Sequence, residues 1–157
     1  MKTPHQHVHT ADCHTQAERL AEADALVQHQ GARFTAMRRA TYDFLLAQKA
    51  PLSAYDILAK LEDQLKKKLA PPTVYRALDF LLAQGLIHRL ETSNAYLVCD
   101  HPGEVHESVY LVCSQCGEAQ EIDDQAVSQV LQAKAQALGF RPDKQVIEVQ
   151  GRCKSCA

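Results

Sequence analysis

The sequence predicts an α+β fold, in which an N-terminal winged helix-turn-helix is followed by a small α/β unit. Three observations support this prediction. Amphipathic helical segments lead into a β-hairpin pattern before residue 99, strands alternate with one helix after residue 108, and only this second part carries two C-x-x-C pairs. With 157 residues, the chain is long enough for two small domains.

The first 14 residues are polar and show no hydrophobic periodicity. They are rich in potential metal ligands, namely His5, His7, His9, Cys13 and His14. We predict a mobile tail with incidental histidines. Such a tract can also bind metal loosely, and composition leaves both interpretations open.

Three helices are predicted to follow this tail. The first spans 15–29 and stops before Gly31, a residue that suits the position just beyond a helix end. The second spans about 35–49, ahead of a proline. The third begins after Ser53, because Asp56 follows three residues later in a capping-box pattern.

The fourth helix has the clearest pattern, in the stretch "PPTVYRALDFLLAQG", residues 71–85. Its two prolines suit a helix start, and Gly85 suits a helix end. Its apolar residues recur at the spacing of one helix face, at Val74, Ala77, Leu78, Leu81 and Leu82. This stripe predicts a face packed on the core.

Two short β-rich runs flank Thr92-Ser93-Asn94, and this arrangement predicts a hairpin. Helices followed by such a hairpin are typical of a winged helix. We therefore predict a winged-helix domain over 15–99, a hinge over 100–107 that contains Pro102-Gly103, and a second domain over 108–157.

The second domain is predicted to hold three strands and one helix. The strands are "SVYLVC", "EAQEI" and "KQVIEVQG". The helix lies in "DDQAVSQVLQAKAQALGF", with Val127, Val130 and Leu131 on one face and Gly139 at its end.

Charge is distributed unevenly along the chain. From Arg33 to Glu91 there are ten Lys/Arg against six Asp/Glu, a net charge of +4. From Thr92 to the end there are five against nine, a net charge of −4. A basic part joined to an acidic part suits a protein in which one part meets a polyanion, although chance variation fits the counts equally well.

In a helix-turn-helix, the second helix of the motif enters the DNA major groove with its N-terminal residues toward the bases. Here that helix is the fourth, and Arg76 faces away from its apolar stripe, as a base-reading arginine would. Tyr75, Thr73 and Tyr55 are candidates for base or phosphate contacts. Further cations that can neutralise phosphates are Arg38, Arg39, Lys66, Lys67 and Lys68, although a solvated face is the favoured interpretation of the lysine run.

Two C-x-x-C pairs in one domain indicate a four-thiolate zinc site, formed by Cys113, Cys116, Cys153 and Cys156. The rival interpretation is a redox C-x-x-C. The zinc-deaminase pattern is absent, because no proline precedes either pair and no H-x-E lies upstream of the first. We predict that the protein is not an enzyme.

A fifth cysteine, Cys99, lies outside these pairs. Residues with ligand potential surround it in the fold we predict, namely His88, His101, His106 and Glu121. A mixed set of thiolate, imidazole and carboxylate is typical of zinc. Spacing alone does not decide between such a site and a buried cysteine beside an ordinary surface histidine.

Four segments closely resemble the ferric uptake regulator family, and within it the branch that responds to zinc. They are "PPTVYRALDFLLAQGLIHRLE", "AYLVC", "VYLVCSQCG" and "GFRPDKQVIEVQGRCKSC". The resemblance covers residues 15–157 in consistent order, and it is specific, because the recognition helix and all four paired cysteines match together.

The resemblance implies a homodimeric, metal-activated transcriptional repressor with a C-terminal dimerisation domain. It implies binding to AT-rich palindromic operators in double-stranded DNA, upstream of metal-uptake genes. By position, the paired cysteines match a structural zinc site, and Tyr55, Tyr75 and Arg76 match DNA-facing positions. The residues that match a zinc-sensing site are His88, Cys99, His106 and Glu121. Two Zn²⁺ ions per subunit are thus expected.

The chain departs from the iron branch of this family in one segment. It has "DHPGEVHES" where a histidine-rich run is usual, and His101 and Glu104 are possible additional ligands there. An iron-, manganese- or peroxide-responsive regulator remains the alternative within the family. A zinc-storage protein or metallochaperone that uses the N-terminal histidines is the alternative from another class.

Neither a long apolar run nor a secretory signal is present, so we expect a cytoplasmic protein that does not contact the membrane.

Overall fold

The computed structural model describes residues 15–103, 109–122, 125–142 and 145–157. The predicted tail and two predicted metal ligands, Glu104 and His106, lie outside these described residues. The elements follow in the order α1 (Gln16–His29), α2 (Ala36–Leu46), β1 (Leu52–Ser53), α3 (Ala54–Leu65), α4 (Pro71–Ala83), β2 (Ile87–Leu90), β3 (Ala95–Val98), β4 (Val109–Cys113), β5 (Ala119–Ile122), α5 (Gln125–Ala137) and β6 (Ile147–Gly151). The predicted α+β fold class is confirmed.

Local capping signals determine where the helices begin. At α1, the Glu18 N–H donates to the Thr15 hydroxyl, and the Glu18 carboxylate accepts the Thr15 N–H at 2.6 Å, which completes a capping box. At α3, Ser53 Oγ accepts the Asp56 N–H at 3.1 Å. Pro71 opens α4, where its missing N–H removes no helical hydrogen bond.

The second helix is shorter than the sequence predicts. It ends at Leu46 rather than near Lys49, and the chain then extends to form β1, which the sequence analysis did not predict. Leu52 and Ser53 of β1 pair with β3, so the helix must stop early enough for the backbone to reach that strand. Two residues are too few to show an alternating pattern, which explains why β1 was missed.

The predicted hairpin forms the wing. Strands β2 and β3 are antiparallel, from Ile87 opposite Val98 to Leu90 opposite Ala95, and β1 adds to the far edge of β3. Asn94 closes the turn with a φ of 50°, a conformation that asparagine tolerates better than most residues.

The core of the winged helix lies where α1 to α4 meet this sheet. The predicted stripe on α4 is buried at Val74, Ala77, Leu78 and Leu81, whereas Leu82 is partly buried. Each large apolar side chain removed from water in this way contributes about 1.5–3 kcal/mol. The stripe therefore holds α4 rigidly and leaves its opposite face exposed.

The second part contains a three-stranded sheet in the order β5-β4-β6 and the helix α5. Strand β4 pairs antiparallel with β5 and parallel with β6, a crossover that needs the intervening helix. The predicted apolar face of α5 is only partly buried within the subunit: Val127 is half-buried, whereas Val130 is 60% exposed and Leu131 is 43% exposed. Ser128 is the buried residue of this helix among those described.

In the part of the chain that the structure describes, no helix combines the length and the apolar character that crossing a membrane requires.

Candidate metal centres and nucleic-acid interface

The four paired cysteines converge at one end of the second sheet. Cys113 ends β4 and Cys116 lies in the turn that follows, while Cys153 and Cys156 come after β6. Because β4 and β6 are parallel neighbours, their ends bring the two pairs together. All four sulfurs lie within 4.8 Å of one another, and the Sγ atoms of Cys116 and Cys153 are 3.8 Å apart.

Backbone N–H groups surround the first of these sulfurs. Hydrogen bonds from the N–H groups of Cys116, Cys153 and Gln115 lower the pKa of Cys113 to about 6. Hydrogen bonds with the side chains of Cys153 and Cys116 raise the pKa of Cys156 to about 12. Four thiols in such contact do not all ionise unless a cation offsets their charge, as Zn²⁺ does in a tetrahedral sulfur site.

A second cluster joins the two parts of the molecule. His88 lies on β2, Cys99 follows β3, and Glu121 lies on β5, yet one ligand atom from each lies within 4.8 Å of the others. Cys99 is fully buried, and the side chain of Glu121 is 3% exposed. His88 Nε2 lies 3.7 Å from Glu121 Oε1. This combination of imidazole, thiol and carboxylate is a zinc-type donor set.

The carboxylate of this cluster is held by two donors. It accepts the Asp100 N–H at 3.2 Å and the Tyr110 hydroxyl at 3.3 Å. The Tyr110 ring also packs against the His88 ring, with a centroid separation of 5.6 Å. Tyr110 therefore contacts both the carboxylate and the imidazole of this cluster, a position that its sequence pattern did not indicate.

A helix of the winged part supports the same cluster from the other side. The Arg19 guanidinium of α1 donates to the Cys99 carbonyl at 2.8 Å and lies 3.5 Å from the Asp100 carboxylate. Gly103 packs nearby on α1: its φ is 87°, and a Cβ there would lie 3.0 Å from a methyl group of Leu26. The described start of the predicted hinge is thus packed against α1.

Burial controls the ionisation of the cysteine in this cluster. Removal from water, and next the negative charge of Glu121, raise the pKa of Cys99 to about 12. The thiol is accordingly neutral at physiological pH in the absence of a cation. A divalent cation between the thiol and the carboxylate offsets both unfavourable effects, so the residues present fit a metal ion.

Of the other ligands proposed from the sequence, only His101 lies within the described residues. His101 is half-buried, and no group of converging ligand atoms among the described residues includes it. Its backbone N–H instead hydrogen-bonds the Cys99 thiol. His106 and Glu104 lie outside the described residues, so the cluster contains three of the four predicted sensing ligands.

The predicted DNA-facing residues are all exposed, one on α3 and three on α4. Tyr55 near the start of α3 is 75% exposed and Tyr75 is 47% exposed. Thr73 and Arg76 are exposed on the first turns of α4. Because the apolar stripe of α4 fixes that helix in the core, these side chains are presented to solvent on a rigid element.

Most of the other predicted phosphate-binding cations have partners within the chain. The Arg38 guanidinium stacks on Phe80 at 3.6 Å, and Arg39 pairs with Asp24. Lys66 and Lys68 form exposed ion pairs with Asp63 and Glu62, respectively. Two of the three lysines of the run therefore lie in exposed ion pairs, and the solvated face stays a prediction.

These features define a class of protein: a winged helix joined to a metal-binding α/β domain, with one candidate metal cluster at the junction. The family model of the ferric uptake regulator family matches residues 29–150. The chain belongs to this family, as the resemblance predicted.

Particular members of the family are similar over most of their length. The zinc uptake regulation protein of Escherichia coli (strain K12) is 36% identical over 145 residues, which cover 90% of this chain and 83% of that protein. A structure of a zinc uptake regulator complexed with zinc and DNA is 34% identical, with a TM-score of 0.84 over 90% of this chain and 95% of that chain.

A third relative, XcZur, has been solved in two forms, and each comparison covers 90% of this chain and 97% of that chain. The holo form is 37% identical, with a TM-score of 0.78. The apo form is 36% identical, with a TM-score of 0.51. The conformation of the present chain is therefore more similar to the holo form than to the apo form.

Proposed function

We propose that this protein is a zinc-responsive transcriptional repressor, which binds operator DNA as a metal-loaded homodimer in the cytoplasm and represses zinc-uptake genes. It is not an enzyme in this proposal. The observation that carries the proposal is the convergence of His88, Cys99 and Glu121 between the winged helix and the second sheet. The similarity to a zinc uptake regulator complexed with zinc and DNA supports it.

The donor sets support zinc as the metal. The cluster of Cys113, Cys116, Cys153 and Cys156 supplies four thiolates and is assigned to structural zinc. The cluster of His88, Cys99 and Glu121 is called the junction cluster below. It is assigned to sensing zinc, with His106 as its fourth ligand. A buried thiol favours zinc over iron or manganese, which suit imidazole and carboxylate ligands. This assignment gives two zinc ions per subunit, and His101 and Glu104 are candidates for additional ligation.

The position of the junction cluster suggests how metal controls DNA binding. His88 and Cys99 belong to the winged helix, whereas Glu121 belongs to the second sheet. A zinc ion held by His88, Cys99 and Glu121 would supply the positive charge that lets Cys99 ionise beside Glu121. The three side chains then hold one orientation of the two domains, and a ligand shifts such an equilibrium only through its different affinity for the two states. A change from 1:99 to 99:1 requires about 5.5 kcal/mol.

We assign DNA contacts to the surface that carries Arg76, Tyr75, Thr73 and Tyr55, with Arg76 reading bases at an AT-rich palindrome. A palindrome requires two copies of this surface related by a two-fold axis. The exposed apolar side chains of the second part suit the contact between subunits, namely Leu111, Val130, Leu131, Leu138, Phe140 and Val149. The proposed domains are 15–99 and 108–157, joined by 100–107.

A gel shift on AT-rich palindromic DNA tests the proposal across a buffered zinc series, with iron and manganese in parallel. We expect zinc to induce DNA binding at a lower free concentration than iron or manganese. Cys99→Ser should require about 100-fold more zinc, because loss of a ligand weakens a metal site by at least the 10- to 100-fold known for residues that support the ligands. Cys116→Ser is compared separately, since it changes the four-cysteine cluster. Activation by iron or manganese alone, or unchanged zinc dependence in Cys99→Ser, would contradict the proposal.

A further inference from the structure

One row of residues across the second sheet faces the wing. Tyr110 on β4 lies opposite Glu121 on β5 and also opposite Glu148 on β6. Residues in direct register on neighbouring strands have side chains on the same face of the sheet. The row therefore presents two carboxylates, one on each side of a buried tyrosine, toward the same partner.

The two carboxylates contact opposite ends of the wing. Glu121 lies beside His88 near the start of β2 and accepts the Asp100 N–H beyond the end of β3. Glu148 reaches the turn between these strands instead. Its Oε1 accepts the Glu91 N–H at 2.6 Å, and its Oε2 accepts the Thr92 N–H at 3.3 Å and also the Thr92 hydroxyl.

Three hydrogen bonds to one carboxylate make this contact specific rather than incidental, and the contact of Glu148 with Glu91 and Thr92 is called the dock below. Backbone N–H groups at a hairpin turn have no ladder partner, so an acceptor that bonds two of them fixes the turn in position. Bonds to an ionised acceptor are also stronger than neutral ones. These bonds need no metal ligand, in contrast to the junction cluster.

We propose that Glu148 is a positioning residue for zinc-dependent DNA binding. Its carboxylate holds the wing turn against the second domain without a metal ion. This contact restricts the relative motion of the two domains, which zinc binding at the junction cluster also restricts. The inference rests on the proposed repressor function. The wing then serves as a docking element between domains, and its turn is not a DNA contact. The dock stabilises the same domain orientation as the junction cluster and lowers the zinc concentration that DNA binding requires.

The test compares Glu148→Ala with Gln150→Ala, an exposed residue two positions along the same strand and on the same face. We expect Glu148→Ala to raise the zinc concentration for half-maximal DNA binding about tenfold, because the hydrogen bonds to a charged acceptor are lost and solvent replaces only part of them. DNA affinity at saturating zinc should remain within about twofold, because full occupancy of the junction cluster selects the same orientation. Gln150→Ala should match the wild type.

A second measurement is independent of DNA. Hydrogen exchange of the 87–95 segment in zinc-replete protein should be faster in Glu148→Ala than in the wild type or Gln150→Ala, because the Glu91 and Thr92 N–H groups lose their acceptor. Unchanged hydrogen exchange in Glu148→Ala would show that Glu148 does not hold the wing turn in position. Lower DNA affinity at saturating zinc, with an unchanged zinc midpoint, would overturn the docking role in favour of a wing that contacts DNA. If the wild type itself binds no DNA with zinc, the repressor function fails, whereas the exchange result still decides on the dock.

Discussion

The two candidate metal clusters differ in where their ligands come from. The four cysteines all belong to the second sheet and its adjoining turns, so a metal there closes one structural unit on itself. The junction cluster takes His88 and Cys99 from the wing region and Glu121 from the second sheet. Zinc chemistry suits both, but the expected consequences differ: a metal ion in the first cluster would stabilise one domain, whereas a metal ion in the second would couple two domains.

The surroundings of the two clusters differ in the same way. Backbone N–H groups favour a thiolate at Cys113, whose pKa they lower to about 6. Burial disfavours a thiolate at Cys99, whose pKa it raises to about 12. The four-cysteine cluster is thus partly prepared for metal by its own backbone, and the junction cluster depends on the metal for its charged form. Such dependence suits a sensing role, because the state without metal differs from the metal-bound state.

The largest effect is expected from Cys153→Ser. The proposed structural zinc would lose one of its four thiolates, and the binding free energy of such an ion, about 10–16 kcal/mol in small zinc domains, is coupled to folding. We expect loss of one zinc per subunit, and unfolding of β6 and the adjoining turn at lower temperature. Metal analysis and thermal unfolding measure these outcomes. Ser155→Ala, an exposed change in the same turn, is the control. A variant with wild-type metal content and stability would remove the distinction between the clusters.

An intermediate effect is expected from Glu121→Gln. The amide keeps only one of the two oxygens that accept from the Asp100 N–H and the Tyr110 hydroxyl, and it lacks the charge that favours a metal ion. The zinc concentration for half-maximal DNA binding should rise about 100-fold, the upper range for residues that support a metal site. Zinc in the four-cysteine cluster should stay bound. Gln120→Ala, exposed on the neighbouring position of the same strand, should have no effect. Loss of both metals in Glu121→Gln would show that the clusters are not independent.

A smaller effect is expected from Arg19→Ala, because this residue positions the cluster and does not ligate metal. Loss of its bond to the Cys99 carbonyl should weaken zinc binding at the junction about fivefold to tenfold, as a charged hydrogen bond contributes roughly 1.5–3 kcal/mol when fully buried and less when partly exposed. Calorimetric zinc titration without DNA measures it. Arg33→Ala removes the same charge from an exposed position and should change little. An unchanged zinc affinity in Arg19→Ala would show that Arg19 does not contribute to zinc binding at the junction cluster.

Much of the winged helix was predictable, because its signals are local. The capping residues Thr15 and Ser53 and the stripe on α4 indicate helices within windows of a few residues. The early end of α2 and the short strand β1 were not predictable, because both depend on β3, more than 40 residues further along the chain. The exposed face of α5 matches its predicted pattern, although the subunit alone does not bury it.

The two candidate metal clusters were predictable from the sequence to different extents. Spacing alone indicated the four-cysteine cluster, since each pair lies within one turn. The junction set followed from the family resemblance, as 32 positions separate His88 from Glu121 and spacing left Cys99 undecided between ligand and core residue. Arg19, Tyr110 and Glu148 were missed. Nothing in their immediate sequence distinguishes them from ordinary helix and strand residues.

The sequence by itself determined the order of the helices and of every strand except β1, the two cysteine pairs and the exposed side of the recognition helix. Periodicity, capping and short-range spacing act within single elements and need no knowledge of the rest of the chain. Only the tertiary structure decided which residues meet across the domain junction. There, the register of three strands places Glu121, Tyr110 and Glu148 in one row beneath the wing. Such contacts depend on sheet pairing and domain packing, which join residues far apart in sequence.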